Sequence, residues 1–310
     1  MAGVPLLPPP GVVAVVGPTA TGKSALSLAL AHELGGEVVN ADSMQLYRGL
    51  DIGTAKLTSD EREGVAHHVL DLWDVTMTAS VAEYQKAARA AVDDIVARGR
   101  VPLLVGGSGL YVRAVLEEFD FPGTNPAIRE RLEAELAETG PAPLYERLRA
   151  ADPEAAAKIL ASNGRRIVRA LEVIEMTGST FTAHLPEPTP YYPAVQIGVD
   201  RVTAALDERI AERVDLMWQQ GLLDEVRMLD AQGLREGRTA SRALGYQQAL
   251  AELDGSMTGP QAREDTTRAT RRFVRRQRSW FKRDPRISWL DGADPDLTRA
   301  ALAVARGAAR

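Results

Sequence analysis

Residues 12–24 read VVAVVGPTATGKS, and no other stretch limits the fold as strongly. Five apolar residues predict a short buried strand. Gly17-x-x-x-x-Gly22-Lys23-Ser24 follows, and Ser24 opens a helical segment that Gly35-Gly36 closes. The glycines let the backbone turn tightly and approach a ligand. Gly17, Pro18, Thr19, Ala20, Thr21, Gly22, Lys23 and Ser24 thereby form a candidate phosphate loop. Its amides and the helix N-terminus concentrate positive potential, Lys23 adds a full charge, and the Ser24 hydroxyl is placed to reach Mg2+. The loop does not say which phosphate compound it holds.

Strand and helix then alternate. Residues 37–42 predict a second strand ending at Asp42, and 43–58 a long polar loop. A short apolar stretch covers 65–75. A helix is expected over 81–98, with Gly99 as its stop, and a third buried strand over 101–105 before Gly106-Gly107-Ser108-Gly109. Helix resumes at Leu110. This alternation predicts an α/β fold: a P-loop-type parallel sheet flanked by helices.

From about Glu117 the composition shifts to Ala, Arg, Glu and Leu. Four helices are expected, after Pro126, Pro143, Pro153 and Asn163. The proline-rich HLPEPTPYYP loop cannot continue a helix and closes the segment. A strand returns over 195–199, and the remainder reads as mostly helical. The expected organisation is a discontinuous catalytic core, 1–116 and 191–310, with an all-α insertion domain over 117–190.

Composition excludes several classes. With no cysteine, disulfides and thiolate metal sites are out, and the four histidines have no zinc-like spacing. No apolar run reaches membrane-span length, and the N-terminal MAGVPLLPPPG, residues 1–11, reads as a proline-rich tail instead of a signal peptide. A cytoplasmic protein without a membrane partner is expected. The net charge of −5 argues against a wholly basic surface but leaves room for a local basic face.

Ligands of open parallel sheets sit at the carboxyl ends of the strands. Asp42 and Ser108 should therefore lie near the phosphate loop. A carboxylate facing phosphates either holds magnesium or takes a proton, and an Asp-Ser pair is also a common turn cap. An ordinary ATPase or kinase would place an acid after a second apolar strand. Here that strand ends in Gly-Gly-Ser, and the only substitutes are Asp71 and Asp74.

The strongest basic feature is residues 266–285. Arg268, Arg271, Arg272, Arg275 and Arg276 fall on one side of a helix, and Arg278, Lys282 and Arg283 extend the run. Phe273, Trp280 and Phe281 are expected on the packing side. Such a face is either a solvated surface or a polyanion site, and nucleic acid is the favoured polyanion. Arg165, Arg166 and Arg169 make a smaller cluster. The segment 242–246, RALGY, is either a base-contact loop or a helix start.

Together these motifs resemble the tRNA dimethylallyltransferases, also called tRNA isopentenyltransferases. The resemblance rests on GPTATGKS, NADSMQLYRGLDIGTAK, LLVGGSGLY, RRIVRALEV, SRALGYQQ and RRQRSWFKRD, in family order across nearly the whole chain. Ser24, Ser108 and Thr21 depart from the commoner family residues but keep a hydroxyl. The resemblance implies transfer of a dimethylallyl group from dimethylallyl diphosphate to the exocyclic amine of the adenosine 3′ to the anticodon, in tRNAs reading codons that begin with U. Pyrophosphate leaves and Mg2+ assists. Asp42 is the implied base; Lys23, Ser24 and Arg213 stabilise the leaving diphosphate, and Ser108 bonds the amine or the phosphate side. Family position assigns tRNA contact to Asp42, Ser43, Met44, Gln45, Ser108, Arg129, Arg165, Arg166, Arg169, Arg242, Gly245, Tyr246 and Gln247. In the basic helix it adds Arg275, Arg276, Gln277, Arg278, Trp280 and Lys282. The insert and the basic helix would grip the anticodon stem-loop, with no obligate protein partner and a monomeric chain. Whether ATP also enters the loop is left open. The alternatives are a phosphate-loop kinase of a nucleoside or small metabolite, and an RNA-binding protein with a relic loop.

Overall fold

A computed structural model of the chain describes residues 11–119, 121–181 and 189–307. Residues 1–10 of the proline-rich N-terminal stretch and 184–188 of the proline-rich loop at 184–193 lie outside the described residues. The order is β1 (Val12–Val16), α1 (Lys23–Leu34), β2 (Gly36–Asn40), β3 (His67–His68), α2 (Val81–Ala97), β4 (Val101–Gly106) and α3 (Gly109–Leu116). Then come α4 (Pro126–Thr139), α5 (Pro141–Ala151), α6 (Pro153–Lys158), α7 (Gly164–Thr177), β5 (Ala194–Asp200), α8 (Thr203–Gln219) and α9 (Leu222–Asp230). The last elements are α10 (Tyr246–Leu253), α11 (Gly259–Phe281), β6 (Ile287–Asp291) and α12 (Leu297–Ala305).

The strands form one parallel sheet in the order β3-β2-β4-β1-β5-β6. A parallel sheet is covered on both faces, so its central strands bury both sides. The five residues of β1 accordingly have no exposed surface. One face packs with Tyr84 and Val92 of α2, Tyr111 of α3 and residues of α9 and α10; the other packs with Leu30 and Leu34 of α1 and Ala301 of α12.

Two compact units divide the chain: residues 1–117 with 190–310, and residues 118–189. In the second, α4 to α7 pack around Leu132, Leu144, Leu148, Ile167 and Leu171. Asn125, Asp152 and Asn163 cap α4, α6 and α7 through side-chain oxygens, each satisfying an orphan amide. Helix α5 starts at Pro141, ahead of the expected Pro143. Both prolines fit the first turn, where no helical hydrogen bond is lost.

The sequence reading missed β6. It is a five-residue edge strand, only partly buried, pressed against Gly198, where a side chain would collide with Ile287 and Trp289. Such a half-buried edge carries little periodicity.

Candidate active site

The sheet order makes β2, β4 and β1 adjacent, so the loops that leave their carboxyl ends meet. Gly17 has φ +135°, and a side chain there would strike the Val199 carbonyl oxygen of β5. Thr21 is fully buried and its Oγ1 donates to the Pro18 carbonyl at 3.0 Å, closing the loop on itself. Arg209 Nε donates to the Ala20 carbonyl at 3.0 Å and Arg201 Nε to the Thr21 carbonyl at 3.1 Å. Lys23 Nζ donates to the Pro18 carbonyl at 2.6 Å. Burial lowers the Lys23 ammonium to about 8, with Asp42 opposing the shift and Arg213 adding to it.

Asp42 follows β2 by two residues. Its Oδ1 accepts from the Met44 amide at 2.9 Å, and its own amide donates to Asn40 Oδ1 at 2.9 Å. Asn40 Nδ2 in turn donates to the Asp42 and Val69 carbonyls. Asp42 is thus a turn residue as well as a site residue. Ser108 Oγ accepts from the Ser43 amide and donates to Ser43 Oγ, both at 3.2 Å. Gly106 lets this happen, because a side chain there would strike the backbone of Ala41.

Arg213 comes from α8. Its guanidinium donates to Thr19 Oγ1 at 3.1 Å and to the Thr54 carbonyl at 3.2 Å. Burial lowers its pKa, with the Asp42 charge working the other way. The loop that supplies Thr54 is pinned from several directions. Buried Lys56 donates to Asp51 Oδ1 and Asp71 Oδ1, both at 2.6 Å, and to the Tyr47 carbonyl at 3.0 Å. Glu225 of α9 accepts from the Ile52 amide at 2.8 Å, and the Tyr246 hydroxyl accepts from the Gly53 amide at 3.2 Å. Glycine is required at 53, since a side chain would collide with the Tyr246 ring.

Two cavities result. The first, about 370 Å³, is polar and lined by Lys23, Ser24, Asn40, Gly107, Arg209 and Glu212 among others. The second, about 320 Å³, is more apolar, with Ile210, Val214, Met217, Leu244 and Phe273 in its wall beside Arg242 and Arg276. Thr19, Ala20, Asp42, Thr54 and Arg213 line both.

Several expectations change. Tyr246 is fully buried and begins α10; its hydroxyl donates to Glu225, so the ring cannot stack on a base. Gly245 is buried with it, whereas Arg242 and Gln247 are exposed. Gln277 is buried, donating to the Gly107 carbonyl and accepting from the Thr19 amide. Arg278 is tied to Asp200 and Thr203 Oγ1, both at 2.8 Å, and to the Arg201 carbonyl. The packing side of α11 is Val274, Gln277 and Phe281, at spacings of three and four; Trp280 is 40% exposed. No acid interrupts the arginine run in sequence, but in space Asp207 of α8 pairs with Arg271 and Arg275. Arg275, Arg276 and Lys282 remain exposed.

In the helical unit, Arg129 and Arg169 both donate to Glu172, which has no exposed side-chain surface. Burial pushes the Glu172 carboxyl up, but the two guanidinium groups win and hold it below its ordinary range. They lock α4 to α7, while Arg165 stands exposed.

The acids that a kinase reading would need are committed elsewhere: Asp71 to Lys56, Asp74 to Arg48. Among the described residues no cluster of three His, Cys, Asp or Glu can hold a metal. Ser24, Asp42 and Glu212 are among the residues that bring side-chain oxygens to the polar cavity, a lining that suits a Mg2+ carried mainly by phosphate and water.

A family model described as IPP transferase matches residues 45–284. The chain belongs to the IPP transferase family. Members similar to it include the tRNA dimethylallyltransferase of Salinispora arenicola, 74% identical over 96% of this chain and 87% of that protein. Its Streptomyces coelicolor counterpart is 66% identical over 94% and 93%. The solved tRNA isopentenylpyrophosphate transferase of Bacillus halodurans superposes with TM-score 0.70 at 40% identity, covering 96% and 95% of the two chains. A eukaryotic dimethylallyltransferase described as acting on tRNA gives TM-score 0.80 at 27% identity over 95% and 77%. These matches give the kinase reading no support.

Sequence reasoning missed Lys56, Glu225 and Arg209. The helical spacing in α8 held the last of these: Arg209, Arg213 and Leu216 share a face, beside Ile210, Val214 and Met217.

Proposed function

We propose that the chain transfers the dimethylallyl group of dimethylallyl diphosphate to the N6 amine of the adenosine 3′ to the anticodon of tRNA. The observation that carries this is the pair Asp42 and Arg213 lining both a polar and an apolar cavity. Two chemically different substrates then meet at one carboxylate and one guanidinium.

The polar cavity takes the diphosphate on Lys23, the loop amides and Arg213. The adenine leaves its stack to enter the apolar cavity, because its amine is out of reach within a folded stem-loop. The amine nitrogen attacks the allylic carbon, the carbon–oxygen bond to the diphosphate breaks, and the nitrogen gives its proton to Asp42. Lys23 and Arg213 stabilise the charge that gathers on the leaving group. Ser24 would help hold a Mg2+, which would supply positive charge to neutralise part of the charge on the leaving group. Exposed Arg242, Arg275, Arg276 and Lys282, with Trp280, form the RNA-facing set of the core; Arg165 serves the helical unit.

Purified protein with unmodified anticodon stem-loop RNA, Mg2+ and dimethylallyl diphosphate should give RNA heavier by one prenyl group. RNA of unchanged mass, with phosphate moved from ATP to a small acceptor, would sink the reading.

Lys23 sets an alkaline limit. Its ammonium is charged below its pKa of about 8 and is lost as pH rises through that value. With RNA saturating, kcat/KM for dimethylallyl diphosphate should stay level up to about pH 8 and fall above it. The fall should vanish in Lys23→Gln.

A further inference from the structure

Gln277 sits one helical turn from Trp280 on α11, and the two side chains meet Gly107 and Gly109, where β4 turns into α3. A side chain at Gly107 would strike the Gln277 amide, and one at Gly109 would strike the Trp280 indole. The close approach gives Gln277 two bonds. Its Oε1 accepts from the Thr19 amide at 3.1 Å, and its Nε2 donates to the Gly107 carbonyl at 2.8 Å. Only one orientation of the side-chain amide satisfies both; the flipped amide would set donor against donor and acceptor against acceptor. The residue is 7% exposed, while its neighbours Arg275 and Arg276 face solvent.

We propose that Gln277 is a positioning residue that braces the phosphate loop against the Ser108 loop and couples the arginine face of α11 to the diphosphate site. The proposal rests on the reading of the polar cavity as that site. The Thr19 amide points to α11 and is withheld from the anion, which fixes how the next residues of the loop present theirs. Thr19 also accepts from Arg213 through its hydroxyl, so one brace sets the loop and a charged partner of the leaving group together. On the other side, Gly107 precedes Ser108, whose hydroxyl holds Ser43 beside Asp42. A shift of α11 on binding RNA therefore reaches both halves of the site through one amide. Such coupling is reciprocal: RNA that tightens pyrophosphate binding must itself bind more tightly when pyrophosphate is present.

The test compares full-length wild type with Gln277→Leu, using inorganic pyrophosphate and an anticodon stem-loop RNA as calorimetric ligands. Wild type should bind pyrophosphate severalfold more tightly with RNA present. Gln277→Leu should bind it about tenfold more weakly, the effect of leaving a buried amide unpaired, and should lose the RNA dependence. Its RNA affinity without pyrophosphate should stay within about twofold of wild type, as expected for one buried hydrogen-bond pair outside the RNA face. Weakened RNA binding with unchanged pyrophosphate binding would make Gln277 an RNA contact and overturn the proposal. So would a wild type in which RNA leaves pyrophosphate affinity unaltered. Gly107→Ala, which displaces the same amide with Gln277 intact, must reproduce the pyrophosphate defect even if the Leu variant folds poorly; normal binding there also overturns it. Lys23→Gln runs alongside. If it too leaves pyrophosphate binding intact, the diphosphate reading fails and the brace falls with it; if only Gln277→Leu does so, the brace alone fails.

Discussion

Asp42→Asn lowers kcat for prenyl transfer by about two to four orders of magnitude, the span that a positioned base contributes, while the RNA still binds. The substitution keeps the shape. An asparagine carbonyl can still accept from the Met44 amide, and the Asn40 bracket on the Asp42 backbone does not involve the side chain that changes. What is lost is the acceptor for the proton of the adenine amine. That proton must leave, because the amine lone pair is delocalised into the ring and the alkylated nitrogen cannot stay cationic. The variant also removes the negative charge that faces Lys23 and Arg213. Asp42 raises the Lys23 pKa, so without it the alkaline limit in kcat/KM for the diphosphate should move below pH 8. Single-turnover rates and a pH profile check both parts. A wild-type rate would remove Asp42 as the base; a lost rate with an unmoved alkaline limit would detach it from Lys23.

The core of this fold is legible in the sequence because its signals are local. β1 is five buried apolar residues, the glycines of the phosphate loop have fixed spacing, and Gly35 ends α1 in the left-handed conformation. Asp42 and Ser108 follow from a general rule about strand ends, once the sheet is known to be parallel. What stays hidden are partnerships between distant segments. Nothing near Arg271 and Arg275 reveals that Asp207 faces them, and nothing in RALGY shows Tyr246 turning inward to Gly53 and Glu225. Gln277 is the clearest case. By position it sits among exposed arginines and reads as a surface residue, yet the turn of the helix carries it to the buried side with Val274 and Phe281. The edge strand β6 is hidden for the opposite reason, since it buries too little to leave a pattern.

Arg213→Gln lowers kcat/KM for dimethylallyl diphosphate by about 10²–10³-fold, the effect of removing one preorganised charge from a transition state. The expectation rests on what surrounds the guanidinium. It donates to a hydroxyl and a carbonyl, Thr19 Oγ1 and the Thr54 carbonyl, and forms no ion pair among the described residues. Burial accordingly makes its charged form costlier than in water. A desolvated cation that the nearby Asp42 charge compensates only in part is costly to the fold, and the rest of that cost is offset when an anion arrives. Glutamine keeps polar contact with Thr19 or Thr54 and removes the charge. Two readouts should therefore move in different directions. Transfer collapses, with the loss concentrated in steps that involve the diphosphate, while RNA affinity holds. The unfolding temperature of the ligand-free protein stays level or rises, as when a site gives up strain held for function. Thermal unfolding with and without inorganic pyrophosphate separates the cases: pyrophosphate should raise the wild-type midpoint and leave that of the variant nearly unchanged. A variant that unfolds earlier than wild type without ligand would show that Arg213 serves the fold, through Thr19 and Thr54, before it serves the leaving group.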